Sequence, residues 1–346
     1  MFFWFFPAKN NYTEKPVTLW LSGGPGTSSL FGLFVENGPY DLTLNGELKL
    51  REFSWNYESS IIYLDNPVGT GFSFAKGVEC YSKNQSHIAK NAINALEQFF
   101  ELFPELNQNK LFLAGESYAG KYIPAIGNAI KQNSTIKNLE GFAIGNGIID
   151  PINQLNYSEY YYQLGLIDLQ TKNEMAEIEK NIQEAIQNGN YTEALLLRND
   201  KLLNETFAQR SGFKSFYNFL YPKGQKKANY GAFLDQDEIR KAIHVGNATW
   251  HGDAYEVSTL LMDDIMRSEL KDFKAILDGY RGLIYYGQLD LRDPYAPSIN
   301  IIQVSRHRLG LWLHNLEWHL GVVHKLRKHG LGPFCKHQGV SPMFSL

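Results

Sequence analysis

The feature that most constrains the fold is an apolar run that leads into a serine flanked by small residues. Residues 111–120 predict a buried strand, a tight turn with Ser117 at its apex and a helix that begins near Gly120. Such a turn holds a serine hydroxyl at the end of a strand, because small neighbours let strand and helix approach closely. The pattern is Gly-x-Ser-x-Ala-Gly, and an ordinary solvated turn before a helix is the alternative interpretation.

A second apolar run, residues 17–21, ends in a glycine-rich loop at residues 22–29. Acyl transfer to a serine needs two fixed backbone N–H donors where the oxyanion forms. In this context one donor would be the N–H of Tyr118 and the other that of Gly24. A tight loop without substrate contact is the alternative. The loop lacks the lysine of a phosphate loop and the spacing of a dinucleotide fingerprint, so the sequence indicates no nucleotide cofactor.

Five segments stand out in order along the chain: residues 22–29, 36–39, 55–56, 64–73 and 115–120. Together they resemble the signatures of the serine carboxypeptidases. Residues 31–39 and 242–247 are most similar to the vitellogenic-type members, and the resemblance extends from about residue 2 to Asp290. It implies an α/β-hydrolase fold, with a mostly parallel central sheet, helices on both faces and a helical cap insertion. It also implies hydrolysis of the C-terminal peptide bond of peptides and proteins through an acyl-enzyme.

An enzyme of this kind must recognise a free carboxylate beside the scissile bond. The resemblance implies that Glu36 and Glu116 form a carboxyl pair there and that Ser22 and Gly23 complete the carboxylate site. Two carboxyl groups in contact cannot both ionise cheaply, so one keeps a proton that it can donate to the substrate, which predicts an acidic optimum. Either glutamate alone would be interpreted as a surface or helix-capping carboxylate. The family often has Asn or Gln at position 22, and serine has a shorter reach.

The remaining members of a catalytic triad are an acid and a base. Residues 282–290 predict a buried strand that ends in a carboxylate, and the resemblance implies that Asp290 orients the catalytic histidine. Asp293 is the alternative acid. If Asp290 has no catalytic role, it would be interpreted as an aspartate that caps a helix. The order of Ser117, Asp290 and a later histidine is that of α/β-hydrolases. The family's Ala-Gly-His-Met-Val-Pro-like segment is absent, and His337 is a candidate base by position only.

The composition changes after residue 302. Residues 303–346 contain six lysines and arginines, one acidic residue and six of the nine histidines. We expect that a frameshift, an alternative exon or a faulty gene model accounts for this basic tail. Four of the histidines recur every five residues: His314, His319, His324 and His329. On a helix, five residues turn by about 140°, so these side chains would spiral, and without a Cys/His ligand spacing we predict no metal site.

Apolar and helical periodicity predict the organisation of the chain. Strands are predicted at residues 17–21, 60–64, 110–114, 139–144 and 282–286, and a helix at residues 88–102. The predicted hydrolase core comprises residues 1–153 and 231–302, with a helical cap at 154–230 and a divergent tail at 303–346. Residues 1–6 resemble an internal strand of the family and lack the features of a signal peptide, so we expect an N-terminally truncated chain.

Seven Asn-x-Ser/Thr sequons fit a secreted or a lysosomal/vacuolar glycoprotein, a localisation that also follows from the resemblance. Their asparagines are Asn11, Asn84, Asn133, Asn156, Asn190, Asn204 and Asn247. The net charge of −3 gives no footprint for nucleic acid, and no apolar stretch is long enough to span a membrane. The predicted partners are peptide or protein C-termini.

Three functional hypotheses remain from the sequence. The first is a serine-type carboxypeptidase that uses Ser117, Asp290 and a histidine. The second is a carboxypeptidase-like protein that has lost its base and serves in binding or storage, because serine without a general base is a poor nucleophile. The third is an acyltransferase, which uses the same triad with an alcohol or amine in place of water.

Overall fold

A computed structural model describes residues 1–301 of the chain, together with the backbone of residues 302–304, 309–314 and 321–326. The strands in these regions are β1 (Phe3–Phe6), β2 (Val17–Leu21), β3 (Tyr40–Leu42), β4 (Leu48–Leu50), β5 (Ser60–Leu64), β6 (Leu111–Glu116), β7 (Leu139–Gly145), β8 (Arg281–Gly287), β9 (Leu309–His314) and β10 (Gly321–Leu326). All except β3 and β4, which form a separate hairpin, belong to one sheet in the order β1-β5-β2-β6-β7-β8-β10-β9.

The centre of the sheet is parallel. Strands β5, β2, β6, β7 and β8 run in the same direction, while β1 is antiparallel to β5. Both β2 and β5 are buried along their whole length, as the continuous apolar runs predict. The five predicted strands are confirmed within two residues at each end. Because parallel strands share a direction, the segments that follow β2, β5, β6, β7 and β8 meet at one edge of the sheet.

Helices cover the sheet and form the insertion. They are α1 (Gln85–Leu102), α2 (Ala119–Asn133), α3 (Tyr157–Gln163), α4 (Leu169–Gln187), α5 (Tyr191–Leu196), α6 (Gln209–Ser211), α7 (Tyr230–Leu234), α8 (Asp237–Ala242), α9 (Tyr255–Leu260), α10 (Met262–Ile265), α11 (Leu270–Leu277) and α12 (Tyr295–Val304). Segments Gly32–Glu36 and Leu197–Ala208 are π-helical. Helix α1 begins three residues before the predicted position, because the Asn84 side chain caps it by accepting from the N–H of His87 at 3.0 Å.

Two apolar clusters cover opposite faces of the sheet. On one face, α1, α2 and α11 bury residues such as Phe99, Ile126 and Phe273 against β2, β5 and β6. On the other face, the segment around Phe34 and helix α7 cover the alternate residues of the same strands. The period of two along each strand sends successive side chains to opposite faces, so each strand contributes to both clusters. This arrangement confirms the α/β-hydrolase fold.

A third apolar cluster lies among α3, α4, α5 and the π-helix Leu197–Ala208. Buried Tyr161 and Phe207 pack ring against ring in it, with centroids 4.2 Å apart. Helical structure ends at Ser211, and residues 212–229 connect this cluster to α7 without a helix or strand. The helical pattern predicted for residues 154–230 therefore holds for its first part, while the boundaries of the predicted cap stay a prediction.

The tail contributes two antiparallel strands to the sheet. Strand β10 pairs with β8 and β9 pairs with β10. The backbone at His314 and His324 is therefore extended, and the helical geometry considered for the histidine repeat is wrong at these two positions. The candidate base His337 lies outside the described residues. Within the described part of the chain, no helix has the length and apolarity needed to cross a membrane.

Candidate active site

Ser117 lies in the turn between β6 and α2 with a positive φ of 57°. A non-glycine residue in this region is strained, and such strain is typical of a serine held at the apex of a strand–turn–helix. The small neighbours are required by space: a Cβ atom at Gly115 would lie 2.3 Å from the carbonyl oxygen of Leu21, and one at Gly120 would lie 2.7 Å from that of Ile148. The predicted turn around Ser117 is therefore present, with close strand–helix contact.

The glycine-rich loop after β2 packs directly on this turn. A Cβ atom at Gly23 would lie 2.5 Å from the backbone nitrogen of Tyr118 and 2.8 Å from the Cβ of Ser117. Gly24 follows with a φ of 106°, a conformation that glycine adopts without strain. The contacts at Gly23 thus place the glycine-rich loop against the turn that carries Ser117 and Tyr118. Two backbone N–H groups beside a nucleophile, such as those predicted at Gly24 and Tyr118, can stabilise an oxyanion.

Asp65, the residue that follows β5, holds the glycine-rich loop in place through hydrogen bonds. Its Oδ1 accepts hydrogen bonds from the Ser28 hydroxyl at 2.6 Å and from the N–H of Ser29 at 3.2 Å, while Oδ2 accepts from the N–H of Phe72 at 2.8 Å. Burial raises the pKa of Asp65 to about 7, and these donors oppose the rise. Sequence reasoning assigned no role to Asp65, although its place after a buried strand at the same sheet edge was a usable signal.

Glu36 and Glu116 meet beside Ser117. Glu36 ends the π-turn Gly32–Glu36, and Glu116 is the last residue of β6. Burial, followed by the charge of Glu116, raises the pKa of Glu36 well above its usual range, and burial also raises the pKa of Glu116. The Oε2 atom of Glu36 is buried and accepts no hydrogen bond from the described residues. A carboxyl pair of this kind holds one proton between its members.

Arg51 supports the turn that carries Glu36. Its guanidinium donates hydrogen bonds to the backbone carbonyls of Glu36 and Phe34, the latter at 3.2 Å. These bonds go to main-chain oxygens, so Arg51 fixes the position of the turn without pairing with the Glu36 carboxyl. The charge of Arg51 still lowers the pKa of Glu36, but less than burial raises it.

Ser22 is buried at the start of the glycine-rich loop. Its hydroxyl oxygen accepts a hydrogen bond from the indole N–H of Trp20 at 3.4 Å, and its N–H donates to the hydroxyl of Ser29 at 3.1 Å. A hydroxyl that accepts in this way can still donate its own proton. Ser22 therefore offers one donor near the turn.

Asp290 follows β8, with β7 between it and the strand that carries Ser117. Its Oδ1 accepts from the N–H groups of Arg292 at 2.6 Å and Asp293 at 2.9 Å. Burial, reinforced by the charge of Asp293, raises the pKa of Asp290 to about 7. The alternative acid Asp293 is engaged elsewhere, because its carboxylate pairs with Arg198 at 2.6 Å.

Strands β6 and β8 are two strand spacings apart, about 10 Å. A side chain between their ends could contact both Ser117 and Asp290, which is the place that a general base occupies in a serine triad. Of the histidines whose side chains the structure describes, His87, His244 and His251, none is hydrogen-bonded to either residue. The described part of the site thus contains Ser117, Asp290 and the glutamate pair, and their catalytic roles stay predictions.

Comparison with known proteins agrees with this geometry. Residues 1–318 match the family model for serine carboxypeptidases, so the chain belongs to the serine carboxypeptidase family. The match extends past Asp290, where the motif resemblance ends. The chain is similar to the venom serine carboxypeptidase of Apis mellifera, with 43% identity over 88% of this chain and 68% of that protein. It is also similar to the vitellogenic carboxypeptidase of Aedes aegypti, with 41% identity over 87% of this chain and 66% of that protein.

Two further comparisons support the family and fold. The probable serine carboxypeptidase CPVL of Homo sapiens is 42% identical over 84% of this chain and 63% of that protein. The chain therefore spans about two thirds of the length of these relatives. The crystal structure of Kex1(delta)p, a prohormone-processing carboxypeptidase from Saccharomyces cerevisiae, matches with a TM-score of 0.71 and 27% identity, covering 87% of this chain and 71% of that chain.

Proposed function

We propose that this protein is a serine-type carboxypeptidase that removes the C-terminal residue of peptides and proteins at acidic pH. The observation that carries the proposal is the buried pair of Glu36 and Glu116 immediately beside Ser117. A proton shared by this pair can donate a hydrogen bond to a free C-terminal carboxylate. Gly23 and the hydroxyl of Ser22 complete the carboxylate site. An enzyme that cleaves within a chain has no use for such a site.

In the proposed mechanism the Ser117 oxygen attacks the last peptide carbonyl while a histidine takes its proton. The N–H groups of Gly24 and Tyr118 stabilise the oxyanion, and Asp290 stabilises the imidazolium. Collapse of the tetrahedral intermediate breaks the C–N bond, and the histidine returns the proton to the departing amino acid. Water then attacks the acyl-enzyme while the histidine takes its proton, and the histidine returns that proton to the Ser117 oxygen as the ester C–O bond breaks. His337 stays the candidate base by position, outside the described residues.

Two assays on the full chain test this function. The protein should hydrolyse an N-blocked dipeptide that has a free C-terminal carboxylate, and it should not hydrolyse the same dipeptide with a C-terminal amide. Ser117→Ala should abolish turnover of the free dipeptide. An organophosphonate should label the wild-type protein at Ser117, as measured by mass spectrometry of its peptide. A serine that stays unlabelled, together with no turnover, would contradict the enzyme and favour the binding or storage role.

We also propose that the protein passes through the secretory pathway as a glycoprotein and is secreted or delivered to a lysosome or vacuole. All seven sequon asparagines are exposed, as an oligosaccharide requires. The Oδ1 of Asn84 caps α1, which leaves its Nδ2 available for a glycan. Expression in secreting eukaryotic cells should give a product whose mass falls after endoglycosidase treatment. An unchanged mass would contradict this part of the proposal.

The helical insertion, with proposed limits at residues 154–230, would shape the side-chain pockets of the substrate cleft. Two contacts support this role, because both join the insertion to the segment that carries Asp290. The Tyr160 hydroxyl donates to the carbonyl of Gln288 at 3.2 Å, and Arg198 pairs with Asp293. Exchange of this insertion for that of a relative should change the preferred substrate residues while Ser117 stays reactive towards the organophosphonate.

A further inference from the structure

A lysine ammonium lies at the edge of the proposed carboxylate site. Lys227 belongs to the segment at residues 212–229 that joins the helical insertion to α7, and its side chain is exposed. The Nζ atom lies 4.5 Å from the ring centroid of Phe31 and 5.8 Å from that of Tyr217. A cation over an aromatic face is attracted by the electron density of the ring and keeps its full charge. The two rings therefore hold the ammonium in place without neutralising it.

Phe31 links this ammonium to the glutamate pair. It precedes the π-turn Gly32–Glu36, in which the N–H of Asn37 donates to the carbonyl of Gly32, five residues earlier. Because π-helical bonds join residues five apart, Phe31 and Glu36 lie on the same side of the turn. The electric field of Lys227 accordingly reaches both glutamates, where it lowers their pKa values against the effect of burial.

Lys227 has no carboxylate within 4.0 Å among the described residues, and Glu36 and Glu116 are both farther than this. The charge of Lys227 thus acts on the two glutamates electrostatically, without a salt bridge to either of them. The ring of Phe31 contacts the ammonium, and Phe31 comes directly before the turn that ends at Glu36. In the proposed function, the pair binds the α-carboxylate of the last residue, so the side chain of that residue must extend into the surroundings of the pair.

We propose that Lys227 is a specificity-determining residue that selects substrates whose C-terminal residue is aspartate or glutamate. This inference rests on the proposed carboxylate site. The side-chain carboxylate would form an ion pair with Nζ while its methylene groups contact Phe31. A neutral side chain of the same size would lose that ion pair, and a cationic one would be repelled.

The test is equilibrium binding to full-length Ser117→Ala, which holds a peptide without cleaving it. The probes are three N-blocked dipeptides that differ only in a C-terminal Glu, Gln or Lys, at about pH 5.5, where a glutamate side chain is ionised. We expect the Glu peptide to bind about tenfold more tightly than the Gln peptide, with a ratio that falls as salt is added. Lys227→Ala in this background should bring the ratio close to one, and Lys227→Glu should favour the Lys peptide.

Lys226→Ala is the matched control, because it removes an exposed neighbouring charge that has no ring contact in the described structure. It should leave the ratio unchanged. An equal loss for all three peptides in Lys227→Ala would overturn the inference, since it would place Lys227 on the α-carboxylate or in the support of the pocket. An unchanged ratio in that variant would also overturn it.

Hydrolysis by the protein with Ser117 intact is measured separately, so that the two proposals can fail independently. The binding preference with no hydrolysis would support the role of Lys227 and contradict the catalytic function. Hydrolysis without a preference for acidic C-terminal residues would contradict the role of Lys227 alone. If none of the three peptides binds, both proposals are contradicted.

Discussion

The hydroxyl of Tyr118 donates a hydrogen bond of 2.5 Å to Oδ2 of Asp264, a residue 146 positions later in the chain. The same oxygen accepts from Gln85 at 2.7 Å and lies 3.2 Å from the buried ammonium of Lys121. Tyr118 is fully buried, and its backbone N–H is one of the two proposed oxyanion donors. Asp264 therefore anchors the residue that follows the nucleophile.

We expect Tyr118→Phe to destabilise the fold by about 1.5–3 kcal/mol, because it removes a hydrogen bond to a charged group. If this bond also positions the oxyanion donor, kcat should fall while KM is retained. Denaturant unfolding and steady-state kinetics measure the two effects. Tyr122→Phe is the control, since this tyrosine in α2 is equally buried, packs against Tyr118 and makes no hydrogen bond to Asp264. An equal loss of kcat in both variants would contradict a positioning role.

The second prediction concerns pH. The raised pKa values of Glu36 and Glu116 mean that the pair holds its proton in acid and loses it as the pH rises. Above that pKa, KM should rise about tenfold per pH unit, because the dianionic pair repels the substrate. Glu36→Gln supplies a permanent amide donor and should flatten this rise. Glu47→Gln, at an exposed position, is the control and should leave the dependence of KM on pH unchanged. If KM still rises steeply with pH in Glu36→Gln, the titrating group is not the glutamate pair.

The third prediction concerns Asp290, the proposed acid, which we expect to set the opposite limb of the pH profile. With its pKa raised to about 7, it takes up a proton as the pH falls, and it then no longer stabilises an imidazolium. A positively charged histidine beside it would lower this pKa, because an opposite charge favours the ionised carboxyl. We expect Asp290→Asn to lower kcat by about 10⁴-fold, as loss of the triad acid does in serine proteases. Asp293→Asn should lower kcat far less, and a similar loss in both variants would contradict the assignment of Asp290 as the acid.

The fourth prediction tests the contact between the glycine-rich loop and the serine turn. Gly23→Ala places a Cβ atom 2.5 Å from the nitrogen of Tyr118, so the loop must move away from the turn. Loss of one oxyanion donor lowers kcat by about 10²–10³-fold, and we expect a loss of this size. In Gly279→Ala, the new Cβ would meet only the flexible side chain of Lys131, at 3.4 Å, so this control should stay active. Full activity of Gly23→Ala would contradict the packing described here.

The fifth prediction concerns the buried pair of Arg198 and Asp293, which links the helical insertion to the segment after β8. Arg198 also donates to the hydroxyl of Tyr157 at 2.7 Å and to the carbonyl of Arg292 at 2.9 Å. Arg198→Ala leaves a buried carboxylate unpaired, and the free energy of unfolding should fall by about 3–5 kcal/mol. Arg267→Ala breaks the exposed pair with Asp263 and should cost less than about 1 kcal/mol. Similar losses in both variants, measured by denaturant unfolding, would contradict this difference.

The sequence by itself determined the elements that depend on local patterns. Continuous apolar runs predicted the five parallel strands, and the small residues around Ser117 predicted the turn, because burial and steric access at these positions are encoded by neighbouring residues. The motif resemblance likewise predicted the family. The start of α1 was placed three residues late because the apolar period begins only after the polar first turn that Asn84 caps.

Only the tertiary structure decided how distant side chains are paired. Hydrogen bonds join Asp65 to Ser28, Arg198 to Asp293 and Tyr118 to Asp264. The partners are 37, 95 and 146 positions apart in the sequence, respectively. No local period encodes such pairs, since they arise where parallel strands bring their ends to one edge of the sheet. Lys227 likewise could not be singled out from the sequence, because its segment has no regular pattern. Its proposed role depends on the ring of Phe31 and on the nearby glutamate pair, which only the tertiary structure brings to it.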